Sequence, residues 1–401
     1  MSLRSFLFWC HLACGVCAGA VILVMSVTGV LLTYQRQLLA WADTRGLEVM
    51  APAGAARLRL EDLVSRVQAN SPGQPPTSLI VSSDPTRPVA VSVGRRTLQV
   101  DPYSGAILGE GAAGMRAFFR SVTDWHRWLA TSTSDRATGR AITGAANLAF
   151  LFIVGSGIVL WFPKALSWVH LRPVLLFRGR LRGKARDFNW HNVIGIWSAV
   201  PLFIVVLGGV VISYPWASDL VYRAAGEAPP PRARPAGPEG TGGTGGPGRS
   251  GRAAGPGMAA DREGTLLGLN RSVDVATARV PGWRTATVRI PTSASQPASV
   301  TVDLGTGGQP HLRQTIDVER QGQTIARVDG YATQTPGRRA RTWLRFAHTG
   351  EVYGLFGQTI AGLVSLGGTV LVWTGVSLSL RRFFAWRARS VRGQQPVAQQ
   401  G

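Results

Sequence analysis

Four histidines, His11, His126, His191 and His348, stand at the ends of long apolar stretches. His11 opens the first stretch and His191 the third, while His126 and His348 lie just ahead of the second and fourth. An ionisable or metal-ligating side chain at a membrane helix is costly, so such residues read as functional. A neutral imidazole presents a ring nitrogen to a metal. Four of them at matching places point to bound cofactors.

The stretches that must position them run over residues 8–34, 142–162, 193–216 and 352–380, with no charge inside any. Each is about 20 residues or longer, enough at ~1.5 Å per residue to cross a ~30 Å hydrocarbon layer. The pattern predicts four transmembrane helices, the first of them an uncleaved span rather than a secretory signal. The short loop 163–187 carries Lys164, Arg172, Arg178, Arg180, Arg182, Lys184 and Arg186 against Asp187 alone, and Arg381, Arg382, Arg387, Arg389 and Arg392 follow the fourth stretch. The positive-inside rule places this loop and both termini in the cytoplasm. Arg338, Arg339, Arg341 and Arg345 argue the other way, but long loops translocate largely regardless of charge. The net charge of +22 serves orientation and anionic lipid. A nucleic-acid reader needs a basic folded module with a recognition motif, and none is visible. Cys10, Cys14 and Cys17 share one helix stripe, where neighbours do not form disulfides.

Both long connections then face outward. In the first, Leu60, Leu63, Val64 and Val67 have helical spacing, and short strands are expected at 78–81, 89–93 and 97–100. Val100-Asp101-Pro102-Tyr103-Ser104-Gly105 reads as a tight turn. In the second, 228–257 is crowded with Gly, Pro and Arg and reads as a linker. Strands are expected at 285–290 and 299–304, then Val302-Asp303-Leu304-Gly305 echoes the earlier turn. The halves also correspond: His11, Gly15, Gly29 and Tyr34 match His191, Gly195, Gly209 and Tyr214, each pair 180 positions apart. The Val-Asp turns are 202 apart and His126 and His348 are 222 apart, as insertions in the second connection would produce. The chain reads as two parallel helix–module–helix repeats about an axis along the membrane normal.

Such an axis brings His11 to face His191 near the cytoplasmic side, and His126 to face His348 near the outer side. Facing neutral imidazoles suit bis-histidine ligation of haem iron. Gly15 and Gly195 follow their histidines by one helical turn and leave room for a flat macrocycle. Zinc or copper is the competing metal reading, weakened because no Asp, Glu or Cys cluster accompanies the outer pair. His126 precedes its apolar stretch by about 15 residues, so a bend or a projecting helix must intervene.

These residues resemble the PepSY-associated transmembrane helix proteins, which include iron-regulated bacterial membrane proteins and ferric-siderophore reductases. The resemblance rests on 9–34 with His11 and Thr28-Gly29, and on 97–110 with Val-Asp-Pro-Tyr-Ser-Gly. It continues through Asp124-Trp125-His126-Arg127-Trp128-Leu129, 190–214, and 346–375 with Ala347-His348-Thr349-Gly350. It implies a membrane α-helical fold with small α+β PepSY-like periplasmic modules, the second degenerate. It also implies two haem b groups on His11, His191, His126 and His348, and electron delivery across a bacterial inner membrane to ferric siderophore. The short cytoplasmic segments carry no glycine motif for a nucleotide, so the cytoplasmic electron donor acts through a partner or as a diffusing molecule. The corresponding segmentation is 1–36 (first span), 37–125 (first module), 126–162 (periplasmic helix and second span), 163–187 (basic loop) and 188–216 (third span). Then follow 217–262 (linker), 263–341 (second module), 342–380 (fourth span) and 381–401 (basic tail). Two rivals stand beside this reading. One is a non-catalytic binding protein whose modules hold or inhibit an extracytoplasmic partner such as a protease. The other is a permease, which usually carries polar groups or broken helices at the midplane, where these spans show little beyond Pro201, Ser26 and Thr28.

Overall fold

The computed structural model describes residues 2–47, 49–50, 54–163, 165, 167–231, 265–321 and 323–392. The chain divides into two units: Met1–Leu38, Gly114–Ser218 and Arg341–Gly401 form one, Leu39–Ala113 and Asp219–Ala340 the other.

Four long helices build the first unit: α1 (Leu3–Leu32), α5 (Arg136–Trp161), α7 (Gly183–Ser213) and α11 (Gly354–Arg392). All four contain windows long and apolar enough to cross a membrane. They close a ring in which α1 and α7 each pack on both α5 and α11, so α1 and α7 occupy opposite corners. Small residues such as Gly19, Ser26, Gly144 and Gly208 line the packed faces, where a missing side chain lets backbones approach closely. Val154, Leu202, Val206 and Val364 fill the centre. Val16, Phe152, Trp197, Val200 and Leu363 point outward and exposed, the face a bilayer covers.

Two shorter helices carry the remaining histidines: α4 (Ala113–Trp128) and α10 (Pro336–His348). The expected bend after His126 is a sharp break, with Leu129 and Ala130 in left-handed conformation (φ 52° and 54°). It brings Gly139 against Trp128, where a Cβ would collide with the Trp128 carbonyl oxygen. Only glycine fits there.

In the second unit, helices α3 (Leu60–Ala69) and α9 (Leu269–Ala278) lie on one sheet. The strands are β1 (Pro76–Ser82), β2 (Val89–Val93), β3 (Arg96–Val100), β4 (Ile107–Gly109), β5 (Thr285–Arg289), β6 (Ala298–Asp303), β7 (Arg313–Val318) and β8 (Ile325–Gly330). They form a single eight-stranded sheet in the order β4-β3-β2-β1-β5-β6-β7-β8, antiparallel throughout. The two connections read as separate modules in the sequence therefore share one sheet, joined where β1 pairs β5 with Leu79 opposite Val288. Leu63, Val67, Leu79, Val91, Leu269, Val288, Val300 and Ile316 are fully buried between sheet and helices. Both Val-Asp turns form: Asp101 accepts from the Tyr103 amide at 2.8 Å, and Asp303 from the Gly305 amide at 2.8 Å.

The expected linker starts later than 217, since α8 (Pro215–Ala224) occupies its first residues; most of 228–257 and the end of the basic tail lie outside the described residues. Cys10, Cys14 and Cys17 are free thiols.

Candidate functional site

A serine or threonine inside an apolar helix satisfies its own hydroxyl proton by donating to the carbonyl one turn back. Its oxygen lone pairs then stay available, and three such residues meet histidines. Ser156 on α5 donates to the Phe152 carbonyl at 2.7 Å and faces His11 Nδ1 at 2.9 Å. Thr374 on α11 donates to the Val370 carbonyl at 2.8 Å and faces His191 Nδ1 at 3.0 Å. On α1, Thr28 donates to the Val24 carbonyl at 2.6 Å and faces His126 Nδ1 at 2.9 Å. His348 Nδ1 instead meets the Val205 carbonyl of α7 at 2.7 Å, an oxygen that can only accept. The Val205 carbonyl must accept, and hydroxyls whose protons lie on their own carbonyls can accept likewise; in that arrangement Nδ1 carries the proton and Nε2 keeps its lone pair. This is the tautomer a metal-binding histidine needs, and such an acceptor behind the ring is what fixes its orientation.

Glycines stand against the same rings. A Cβ on Gly157 would lie 3.5 Å from His11 Cε1, and one on Gly375 3.5 Å from His191 Cε1. On Gly29 it would lie 3.7 Å from His126 Cε1, and on Gly209 3.2 Å from His348 Cε1. Beside Gly15, one turn beyond His11, nothing lies within 4 Å. At Gly195, one turn beyond His191, a Cβ would meet Leu371 Cδ2 at 3.8 Å, ordinary contact.

The rings sort into two pairs. His126 and His348 face each other with centroids 6.2 Å apart and planes inclined by 50°. An ion about 2 Å from each Nε2 would set two ring centres roughly 6 Å apart, so this pair has the spacing to share one metal. Burial, followed by the charge of His348, pushes the His126 imidazole down to about 4. Burial also lowers the His348 pKa. Both are thus neutral at pH 7, the form in which an imidazole can ligate a metal. His11 and His191 sit on the diagonal helices α1 and α7, within electrostatic range of each other.

No group of three or more His, Cys, Asp or Glu able to hold a metal occurs among the described residues. A metal shared by two imidazoles must take its other ligands from elsewhere, and a macrocycle supplies four in one plane.

All four predicted histidines thus fall in the helical unit. Sequence reasoning missed Ser156, Thr374, Gly157 and Gly375, and read Thr28-Gly29 as part of the resemblance without pairing it with His126. A usable signal existed: Ser156-Gly157, Thr374-Gly375 and Thr28-Gly29 are three hydroxyl–glycine pairs within the apolar stretches, the first two 218 positions apart.

The chain matches the PepSY-associated TM region over residues 8–382. No curated relative matches it. With four apolar spans and that match, it is a membrane protein carrying a sheet-containing region.

Proposed function

We propose that this chain, which belongs to the PepSY-associated TM family, is a haem-containing inner-membrane oxidoreductase passing electrons from the cytoplasmic side to periplasmic ferric siderophore. The observation that carries the reading is the set of four imidazoles, each with its Nδ1 within 3.0 Å of a hydroxyl or carbonyl oxygen, an arrangement that leaves Nε2 for a metal. In this account His11 and His191 hold one haem b, and His126 and His348 a second. The iron porphyrin supplies reversible one-electron chemistry at the potentials its ligands and surroundings set.

The chain's own residues do the rest. Ser156, Thr374, Thr28 and the Val205 carbonyl orient the ligands and raise their basicity. The glycines against the rings keep neighbouring helices from displacing them. Val154, Leu202, Val206 and Val364 keep the bundle centre dry between the two pairs. Orientation with loop 163–187 and both termini in the cytoplasm follows from the basic loop. The parallel-repeat architecture is supported by the 180-position matches, by Ser156 and Thr374 serving equivalent histidines, and by a strand order that mirrors itself about β1 and β5. The electron donor acts on the cytoplasmic side, through a partner or as a diffusing molecule. Reduction to Fe(II) loosens the hard-oxygen chelate and releases iron.

The test is reoxidation. Purified protein reduced under nitrogen should show a b-type spectrum that reverts on addition of a ferric siderophore. A colourless protein, or a reduced spectrum that persists, ends the enzyme reading. The rival, a binding protein for an extracytoplasmic partner, draws on the sheet face opposite α3 and α9. There Ser78, Ser92, Thr287, Ser299, Thr301 and Thr315 form a half-exposed polar surface. A colourless protein that still retains a partner through this face would favour it.

A further inference from the structure

A cleft of about 440 Å³ lies in the helical unit, a volume in the range of small-molecule sites. Leu23, Trp190 and Trp373 give its wall an apolar, aromatic part, while Asp187, Arg186 and Thr374 give it a polar one. Trp373 is 69% exposed and Trp190 40%, so the aromatic part faces away from the bundle, toward the bilayer. Asp187 stands one turn before His191 on α7, at the end that the basic loop places on the cytoplasmic side. Thr374 connects the cleft to the first histidine pair, because its hydroxyl oxygen lies 3.0 Å from His191 Nδ1.

The polar part selects what fits. A carboxylate buried at a membrane span is costly unless paired. Asp187, 3% exposed, is paired: Arg186 Nε and Nη2 donate to its Oδ1 at 3.1 and 2.9 Å. The cation and the acid in the cleft wall thus offset each other, which disfavours an anionic head group. Oδ2 differs. Among the described residues it accepts one hydrogen bond, from Ser377 Oγ at 2.8 Å, with Arg381 Nη2 at 3.6 Å. A carboxylate oxygen has two lone pairs, so one remains for a hydroxyl. A neutral, flat, apolar molecule with a hydroxyl at its edge matches this wall, its ring against the tryptophans and its O–H on Asp187.

We propose that this cleft binds a membrane-borne hydroquinone, which enters from the bilayer and supplies the electrons. The donor role rests on the haem reading above; the binding site does not. A hydroquinone seated here breaks its two O–H bonds and becomes the quinone, giving up two electrons and two protons. The electrons pass singly, by way of the His11–His191 pair, and reduce two ferric chelates to ferrous. The protons leave to the water that half-exposed Arg186 meets at the membrane surface.

The experiment uses the full chain in phosphatidylcholine nanodiscs, with decylubiquinone as the binding probe and decylubiquinol as the reductant. Wild type is compared with Asp187→Asn and with Trp373→Leu, the latter at an exposed position where folding is not at stake. Binding is read from the midpoint of saturable tryptophan quenching, and reduction from the rate at which the ferrous spectrum appears under nitrogen. Wild type should bind saturably, Asp187→Asn roughly tenfold or more weakly, and Trp373→Leu about threefold or more weakly. Dithionite should reduce all three equally. Saturable binding that needs these residues in a protein without pigment would sink the haem reading and leave the site standing. Midpoints unchanged in both variants overturn the proposal, as does a pigment that dithionite reduces and the hydroquinone does not; either leaves the haem reading intact. Quinone binding that disappears when phosphatidylglycerol replaces part of the phosphatidylcholine assigns the cleft to lipid and overturns it too.

Discussion

Alanine at Gly29 and alanine at Gly209, 180 positions apart in the sequence, are the same chemical change, yet they should have different outcomes. At Gly29 the new methyl would meet Ser365 Oγ at 3.5 Å and His126 Cε1 at 3.7 Å, ordinary contact distances. At Gly209 it would meet Asn147 Nδ2 at 2.8 Å and His348 Cε1 at 3.2 Å. Something must move there. Asn147 Nδ2 donates to the Val206 carbonyl at 3.1 Å, so displacing it breaks a buried hydrogen bond, and displacing the ring instead pulls His348 from Val205. Overpacking costs about 1–3 kcal/mol and a lost buried hydrogen bond about 1 kcal/mol more. The sum, roughly 2–4 kcal/mol, corresponds to ~30- to ~900-fold in the affinity of whatever the pair holds. Gly29→Ala should stay within about threefold of wild type, since it meets nothing closer than normal contact. The assay is haem per chain by pyridine haemochrome across a dilution series, with a thermal melt of each variant. Equal losses at the two positions, or full retention in Gly209→Ala, would refute the claim that ring contacts position this pair.

Thr374→Val removes the acceptor behind His191 while nearly preserving volume; it should weaken metal retention at that pair by about 10–100-fold, and Thr374→Ser should restore it, both read by haem content and spectrum. In the sheet unit, partial burial and then the nearby Glu61 carboxylate raise the Asp274 pKa, against the opposing pull of Arg271. A carboxyl whose folded pKa lies above its unfolded value contributes stability below the unfolded pKa and loses it as pH rises through the folded one. Asp274→Asn should therefore raise the melting temperature at pH 7, with the gain shrinking as pH falls toward 4; a gain that grows on acidification would contradict the assigned cause.

The spans were legible because charge-free runs of that length have few alternatives to a bilayer, and the histidines because His11, His191 and His348 stand at or within a turn or so of such a run while His126 is offset by about 15 residues. Their acceptors were not. Ser156 and Thr374 look like any helix-interior hydroxyl bonded to its own backbone, and only the tertiary contact shows which of them faces an imidazole. Strand β8 escaped notice because its first half, Ile325-Ala326-Arg327, is exposed on both faces and shows no alternation, as an edge strand tolerates. The β1–β5 seam joins residues more than 200 positions apart, and alternation within a strand says nothing about its neighbour. The turns at Asp101 and Asp303 were readable because the side chain caps its own following amides.

The most direct measurement is haem per polypeptide, with reduced-minus-oxidised spectra, in wild type and in His11→Ala, His191→Ala, His126→Ala and His348→Ala. The account predicts two haems in wild type, with His11→Ala and His191→Ala losing one and the same spectral component, and His126→Ala and His348→Ala both losing the other. A wild type without pigment, or histidine losses that do not fall into these two pairs, would contradict it.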